Sequence, residues 1–155
     1  MKNRIGLDKK RAAELAGKLN DLLANYQVFY MNTRGFHWNI QGRDFFELHI
    51  KFEELYDDLV IKVDEIAERI LTLEETPVHT FSEYSKMSDI KELANVTNGP
   101  IAVQHLLDTF KTIIIKQREI LAMAGEIEDE GTGALMSDYI REQEKLVWMY
   151  SSFMN

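Results

Sequence analysis

The stretch Asp44–Leu73 places apolar residues at Phe45, Leu48, Phe52, Leu55, Leu59, Val63, Ile66, Ile70 and Leu73. Steps of three and four put them on one face of a single long helix, and other helices must cover that face. The same helix carries a second stripe, His49, Glu53, Asp64 and Glu68. At about 100° per residue these four fall within an arc of roughly 100° and share a face. They are metal-ligand residue types, and His37 lies just ahead of the helix. Along the axis, His49 and Asp64 are roughly 22 Å apart at about 1.5 Å per residue, so one copy of the helix cannot bring both pairs to one metal.

A second copy removes the obstacle. Packed antiparallel with the crossing near Asp58–Leu59, the His49/Glu53 end of one chain meets the Asp64/Glu68 end of the other. An isologous dimer then holds two equivalent sites, each built from both chains. Histidine with carboxylates suits iron, with zinc or manganese as competitors. Taken singly, Glu53 or Glu68 reads as a solvated charge on a helix surface. With two histidines in register, metal ligation is the stronger reading.

The rest of the chain is helical in pattern. Hydrophobic content is 45% and there are only two prolines. A first helix runs from about Asp8, its N-cap, to about Trp38, with Leu15, Leu19, Leu22, Tyr26, Tyr30 and Thr33 on one face. Asn39–Arg43 is a tight turn, and Asp44 with Glu47 predicts a capping box for the second helix. Thr72–Gly99 is a long crossover with a short helix near Ser82–Met87. The third helix starts with Pro100 in its first turn and runs to about Ile127. Gly131 and Gly133 are expected to break it. The last helix spans about Thr132 to Phe153, with Leu135, Tyr139, Leu146 and Tyr150 at helical spacing. The expected fold is all-α, a single domain over residues 1–155, in which the long link between second and third helices fits a ferritin-like four-helix bundle. Bundles with an internal di-iron site use Glu-x-x-His pairs from two helices. The third and fourth helices here have none, which points again to the interface. With no cysteine there are no disulfides or thiolate metal sites, and no signal or membrane segment is visible. The expected location is the cytoplasm.

Gly35–Ile70, GFHWNIQGRDFFELHIKFEELYDDLVIKVDEIAERI, resembles the signature of the Dps mini-ferritins, DNA-binding proteins from starved cells. The likeness rests on His37-Trp38, Gln41-Gly42, Phe45-Phe46, Leu48-His49, Phe52-Glu53-Glu54-Leu55-Tyr56 and Asp64-Glu65-Ile66-Ala67-Glu68-Arg69. It continues more loosely through Pro77, Tyr84, Glu144-Lys145 and Trp148-Met149. The resemblance implies a hollow dodecamer with a ferroxidase site shared across two-fold interfaces. It makes His37, His49 and Glu53 of one subunit and Asp64 and Glu68 of the next the ligands and catalytic residues. The second of two iron positions is expected to be weak. Many relatives carry aspartate at Glu53; the longer glutamate keeps the charge.

Other residues carry less. His79 in the crossover and His105 early in the third helix read as solvated or hydrogen-bonded side chains. Trp38 reads as a core aromatic, although the resemblance implies a ring near the metal that takes up stray oxidising equivalents. Methionines 31, 87, 123, 136, 149 and 154 read as core packing. Glu126, Glu128, Asp129 and Glu130, with Asp138 downstream, read as a solvated turn. The resemblance places that turn near three-fold channels, where acids would admit iron, but Ala134 stands where several relatives have an inward acid.

The functional expectation is iron(II) oxidation, with hydrogen peroxide as the implied oxidant, and storage of ferric mineral in the cavity. Removing peroxide without releasing hydroxyl radical protects DNA without touching it. The alternative is a nucleoid protein that coats DNA and uses metal only structurally. Net charge is −8 and the isoelectric point about 5.0, so a shell of such chains repels phosphate. Only Lys2 and Arg4 precede the first helix as basic residues, so direct DNA binding is not expected.

Overall fold

The computed structural model describes residues 1–155 and contains helices but no sheet. Helix α1 spans Lys9–Asn39, α2 Phe45–Thr72, α3 Phe81–Met87, α4 Gly99–Glu126 and α5 Glu130–Met154. The four long helices form a bundle, with α1 packed on α2, α4 on α5, and α1 on α4. The apolar stripe of α2 faces inward as the spacing predicts: Leu48, Phe52, Leu55, Leu59, Ile66, Ile70 and Leu73 are buried. Phe29 meets Phe110 edge to face at 5.1 Å and joins α1 to α4.

Local signals set several helix ends. Asp8 caps α1 by accepting from the Arg11 amide, and Asn98 caps α4 by accepting from Ile101, with Pro100 in the first turn. The capping box expected at Asp44 does not form. Asp44 sits at φ −96°, ψ 15°, and its side chain accepts no cap hydrogen bond. Gly42, at φ +99°, bends the chain so that its carbonyl accepts from the Phe45 amide instead.

The break between α4 and α5 also lies elsewhere than expected. The chain turns at Ile127–Asp129, with Glu128 at φ 64°, while Gly131 and Gly133 lie inside α5. Asp129 is buried, not solvated. It caps α5, accepting from the Thr132 amide at 3.1 Å, and receives the Arg69 guanidinium at 2.7 Å. Gly131 leaves room for this guanidinium, since a Cβ there would lie 2.7 Å from Arg69 Nη1 and push it aside. Removing one partner of a buried ion pair strands the other charge, so Arg69→Met is expected to cost about 3 kcal/mol in denaturant unfolding. Gly131→Ala, which only displaces the guanidinium, is expected to cost less.

The crossover is stitched to α1 by three asparagines. Asn20 accepts from the Val78 amide, Asn25 from the Asp89 and Ile90 amides, and Asn32 from the Leu93 amide while donating to the Lys91 carbonyl. Asn25 and Asn32 are buried, so irregular backbone finds its partners in side chains rather than in water. Short helix α3 begins one residue earlier than expected, after Thr80.

Candidate metal centre

His37 lies in the last turn of α1 and His49 at the start of the second turn of α2, so the tight turn folds one onto the other. Their rings stack at 3.8 Å between centroids, 12° from parallel. His37 Nδ1 lies 2.6 Å from the His49 carbonyl oxygen, and His49 Nδ1 lies 2.8 Å from that of His37. A carbonyl can only accept, so each Nδ1 carries its proton and donates. With the proton on Nδ1, Nε2 is the nitrogen whose lone pair can face a metal. This is the tautomer a ligand binding through Nε2 needs, and the Nδ1 hydrogen bond fixes it. Phe45 stacks on the outer face of His49 at 4.9 Å, and the Tyr56 edge meets His37 at 5.3 Å. The His37 residue is only 7% exposed, so the pair is held as part of the packing.

Glu53, one turn beyond His49, brings Oε1 to 3.7 Å from His37 Nε2. His37, His49 and Glu53 thus gather at one end of α2. Asp64 and Glu68 gather at the other, exposed and one turn apart. The Glu68 carboxyl is pushed above its ordinary value, first by a hydrogen bond shared with Asp64 and then by that neighbour's charge. A carboxyl raised in the folded state binds its proton more tightly there than in the unfolded chain. Its contribution therefore weakens as pH rises from the ordinary carboxylate value through the raised one. Metal-free Asp64→Asn is accordingly expected to melt no lower than the natural chain at pH 7, with any advantage shrinking on acidification through the carboxylate range. A melting series in chelator checks this.

A single chain does not bring the two ends together, and it contains no group of three or more histidine, aspartate or glutamate side chains placed to hold a metal. The same outer face of α2 carries Phe46, Ile50, Ile61 and Leu71, all exposed, Phe46 by 81%. Phe46, Ile50 and Leu71 lie within the arc of the ligand stripe, and Ile61 lies roughly 20° beyond its edge. Their spacing from His49, Glu53, Asp64 and Glu68 is legible in the chain, but only their exposure in the folded bundle sets them apart from other surface positions of the helix.

The other candidates fall outside this centre. His79 is exposed and bonds the Pro77 carbonyl, and His105 stacks on Phe36 at 6.3 Å. Trp38 is not a core residue: it is 59% exposed, one face covered by the Arg34 guanidinium at 5.2 Å. Its place in the final turn of α1 carries it out of the bundle. Of the six methionines read as core, Met136 alone is fully buried, while Met31, Met149 and Met154 are exposed.

A ferritin-like domain family matches residues 16–155. The chain is 45% identical to a DNA protection during starvation protein of Porphyromonas gingivalis, over 96% of this chain and 93% of that one. A crystal structure of a Dps protein from Vibrio cholerae, described as belonging to a superfamily of ferritin-like diiron-carboxylate proteins, superposes with a TM-score of 0.98. Its identity is 60%, covering 99% of this chain and 97% of that one. Dps from Staphylococcus aureus superposes with a TM-score of 0.89 at 33% identity, covering 92% and 96%. Stacked histidines at one end of α2, paired acids at the other and a bundle with a stitched crossover thus sit in a chain that belongs to the Dps family of ferritin-like proteins.

Proposed function

We propose that the chain oxidises iron(II) and stores the ferric product in a hollow homo-oligomer, with each oxidation site shared by two subunits. The observation that carries this reading is the self-complementary outer face of α2. The pairs Phe46 and Leu71, His49 and Glu68, and Glu53 and Asp64 are each centred between Asp58 and Leu59. An antiparallel two-fold crossing at that point therefore sets an apolar residue against an apolar one at the ends and ligands against ligands within. Large apolar side chains left in water beside a ligand stripe are what a partner helix covers.

In such a site, His37 and His49 offer Nε2 to iron(II), while Glu53 with the partner's Asp64 and Glu68 supply charge. Imidazole holds the ferrous ion, and the carboxylates favour the harder ferric product. The iron is substrate here: two iron(II) ions give one electron each to hydrogen peroxide, which takes up two protons and leaves as two waters. Pairing the electrons avoids free hydroxyl radical, which would protect DNA without contact. The second iron position is the weaker, since the two histidines lie on one side of the site. We place the assembly, a dodecamer, in the cytoplasm; no helix is long and apolar enough to cross a membrane.

Direct DNA coating receives little support. The chain carries a net −8, and residues ahead of α1 fold back on it. The Lys9 amide donates to the Met1 carbonyl, and the Arg4 amide donates to Glu74. The few basic residues there do not form a free arm. Anaerobic titration with iron(II), followed by peroxide, tests the proposal. Saturable binding, a rise in ultraviolet absorbance and growth in particle mass are expected together. Binding no stronger than to a helical control protein would overturn it, and a gel shift at low and moderate salt separates the DNA-coating alternative.

A further inference from the structure

Where α2 meets α5, a lysine ammonium lies inside the bundle. Lys62 is 3% exposed, and its Nζ is 2.9 and 2.8 Å from the two oxygens of Asp58 and 3.1 Å from Glu142. The Tyr139 ring lies 4.9 Å from Nζ, and the Tyr139 hydroxyl donates to Glu65 at 2.9 Å. Deeper in the bundle, Tyr26 donates to Gln117, Gln117 to Gln143, and Gln143 back to Tyr26, a closed neutral ring with no anion to offer a metal.

Three carboxylate oxygens from two helices thus surround one point that a positive charge already fills. Hard divalent cations take oxygen ligands of this kind. A cation approaching the point meets the buried ammonium as a like charge at contact distance, a repulsion that water on the outer side of the two carboxylates screens only in part. Iron caught there would also lack an imidazole ligand.

We propose that Lys62 is a specificity-determining residue: its ammonium is the resident cation of an α2–α5 carboxylate cradle and closes the bundle interior to iron, leaving the histidine-bearing outer face of α2 to take it up. This rests on the iron-oxidising reading above. The natural chain gains from Lys62 both a pin between two helices and a single address for its metal. Asp58 and Glu142 are partly exposed, so their charges remain hydrated when the ammonium is removed and the bundle need not collapse.

Lys62→Ala, made in a His37→Ala/His49→Ala background, tests the proposal with terbium(III) as probe. The variant is expected to bind about one more terbium ion per chain than the same background with Lys62 in place. Emission excited through tyrosine should rise, since Tyr139 borders the cradle. Adding Asp58→Asn and Glu142→Gln should abolish the gain. An unchanged terbium count in folded Lys62→Ala overturns the proposal. If the variant is unfolded without metal, terbium must restore its helical circular dichroism, and failure to do so overturns the proposal equally. Both arms lack the interface histidines, so this count fails or succeeds independently of the shared iron site.

Discussion

His37→Ala/His49→Ala is expected to remain helical and to lose iron(II) binding by about 100-fold or more. Even outer-shell partners of metal ligands are worth 10–100-fold, and here two ligands go at once. The stability cost is not zero. The rings staple the end of α1 to the start of α2 through two reciprocal hydrogen bonds and a stack. Losing them is expected to cost about 2 kcal/mol, near 1 kcal/mol per hydrogen bond. The core beneath, with Phe36 against Phe52 at 5.9 Å, is untouched and keeps the bundle folded. Glu53→Gln separates the two effects. That side chain is exposed and not part of the staple, so iron binding should fall with little change in melting temperature. Isothermal titration under nitrogen with parallel thermal melts reads both quantities. Wild-type affinity in the double variant would remove the histidines from the site.

What could be read from the chain was what repeats locally. A helix buries one face, so burial imposes a 3-4 spacing that survives in the sequence, and every residue of the α2 stripe is buried or half-buried. The ligand stripe was legible for the same reason, and the 22 Å gap follows from the rise of roughly 1.5 Å per residue. Contacts between distant residues leave no such period. Arg69 reaches Asp129 and Thr132 across 60 and 63 positions, and nothing near Asp129 distinguishes it from the exposed Glu126, Glu128 and Glu130. The acidic run therefore reads as solvated, and the glycines beside it read as a break. Lys62 is similar: on a helix full of charges, a buried lysine cannot be told from an exposed one until α5 supplies Glu142. Asp44 failed as a cap for another reason. The residue type was suitable, but Gly42 bent the backbone so that its own carbonyl satisfied the first free amide. Trp38 shows the limit of composition, since a large aromatic at a helix end can lie beyond the layer that covers the core.

Two inactive chains are expected to restore activity to each other. Asp64→Ala/Glu68→Ala keeps the histidine end of α2 and loses the acid end; His49→Ala/Glu53→Ala does the reverse. Alone, each should lack a ligand pair in every site of its assembly. In a mixed two-fold pair, one site joins the intact histidine end of the first chain to the intact acid end of the second, while the other site loses both. Random exchange makes about half of the pairs mixed, each with one of two sites rebuilt, so roughly a quarter of the natural iron sites should return. The exposed apolar residues Phe46, Ile50, Ile61 and Leu71 are unchanged in both parents, so the pairing surface survives. Removing acids also relieves repulsion such as that which raises the Glu68 carboxyl, so loss of metal stabilisation is partly offset in the first parent. The parents should be dissociated, mixed and reassembled, with exchange verified by mass spectrometry of differently labelled chains. Anaerobic iron(II) stoichiometry then gives the answer. A site confined to one chain gains nothing from mixing, so a near-zero value in fully exchanged assemblies would sink the shared site.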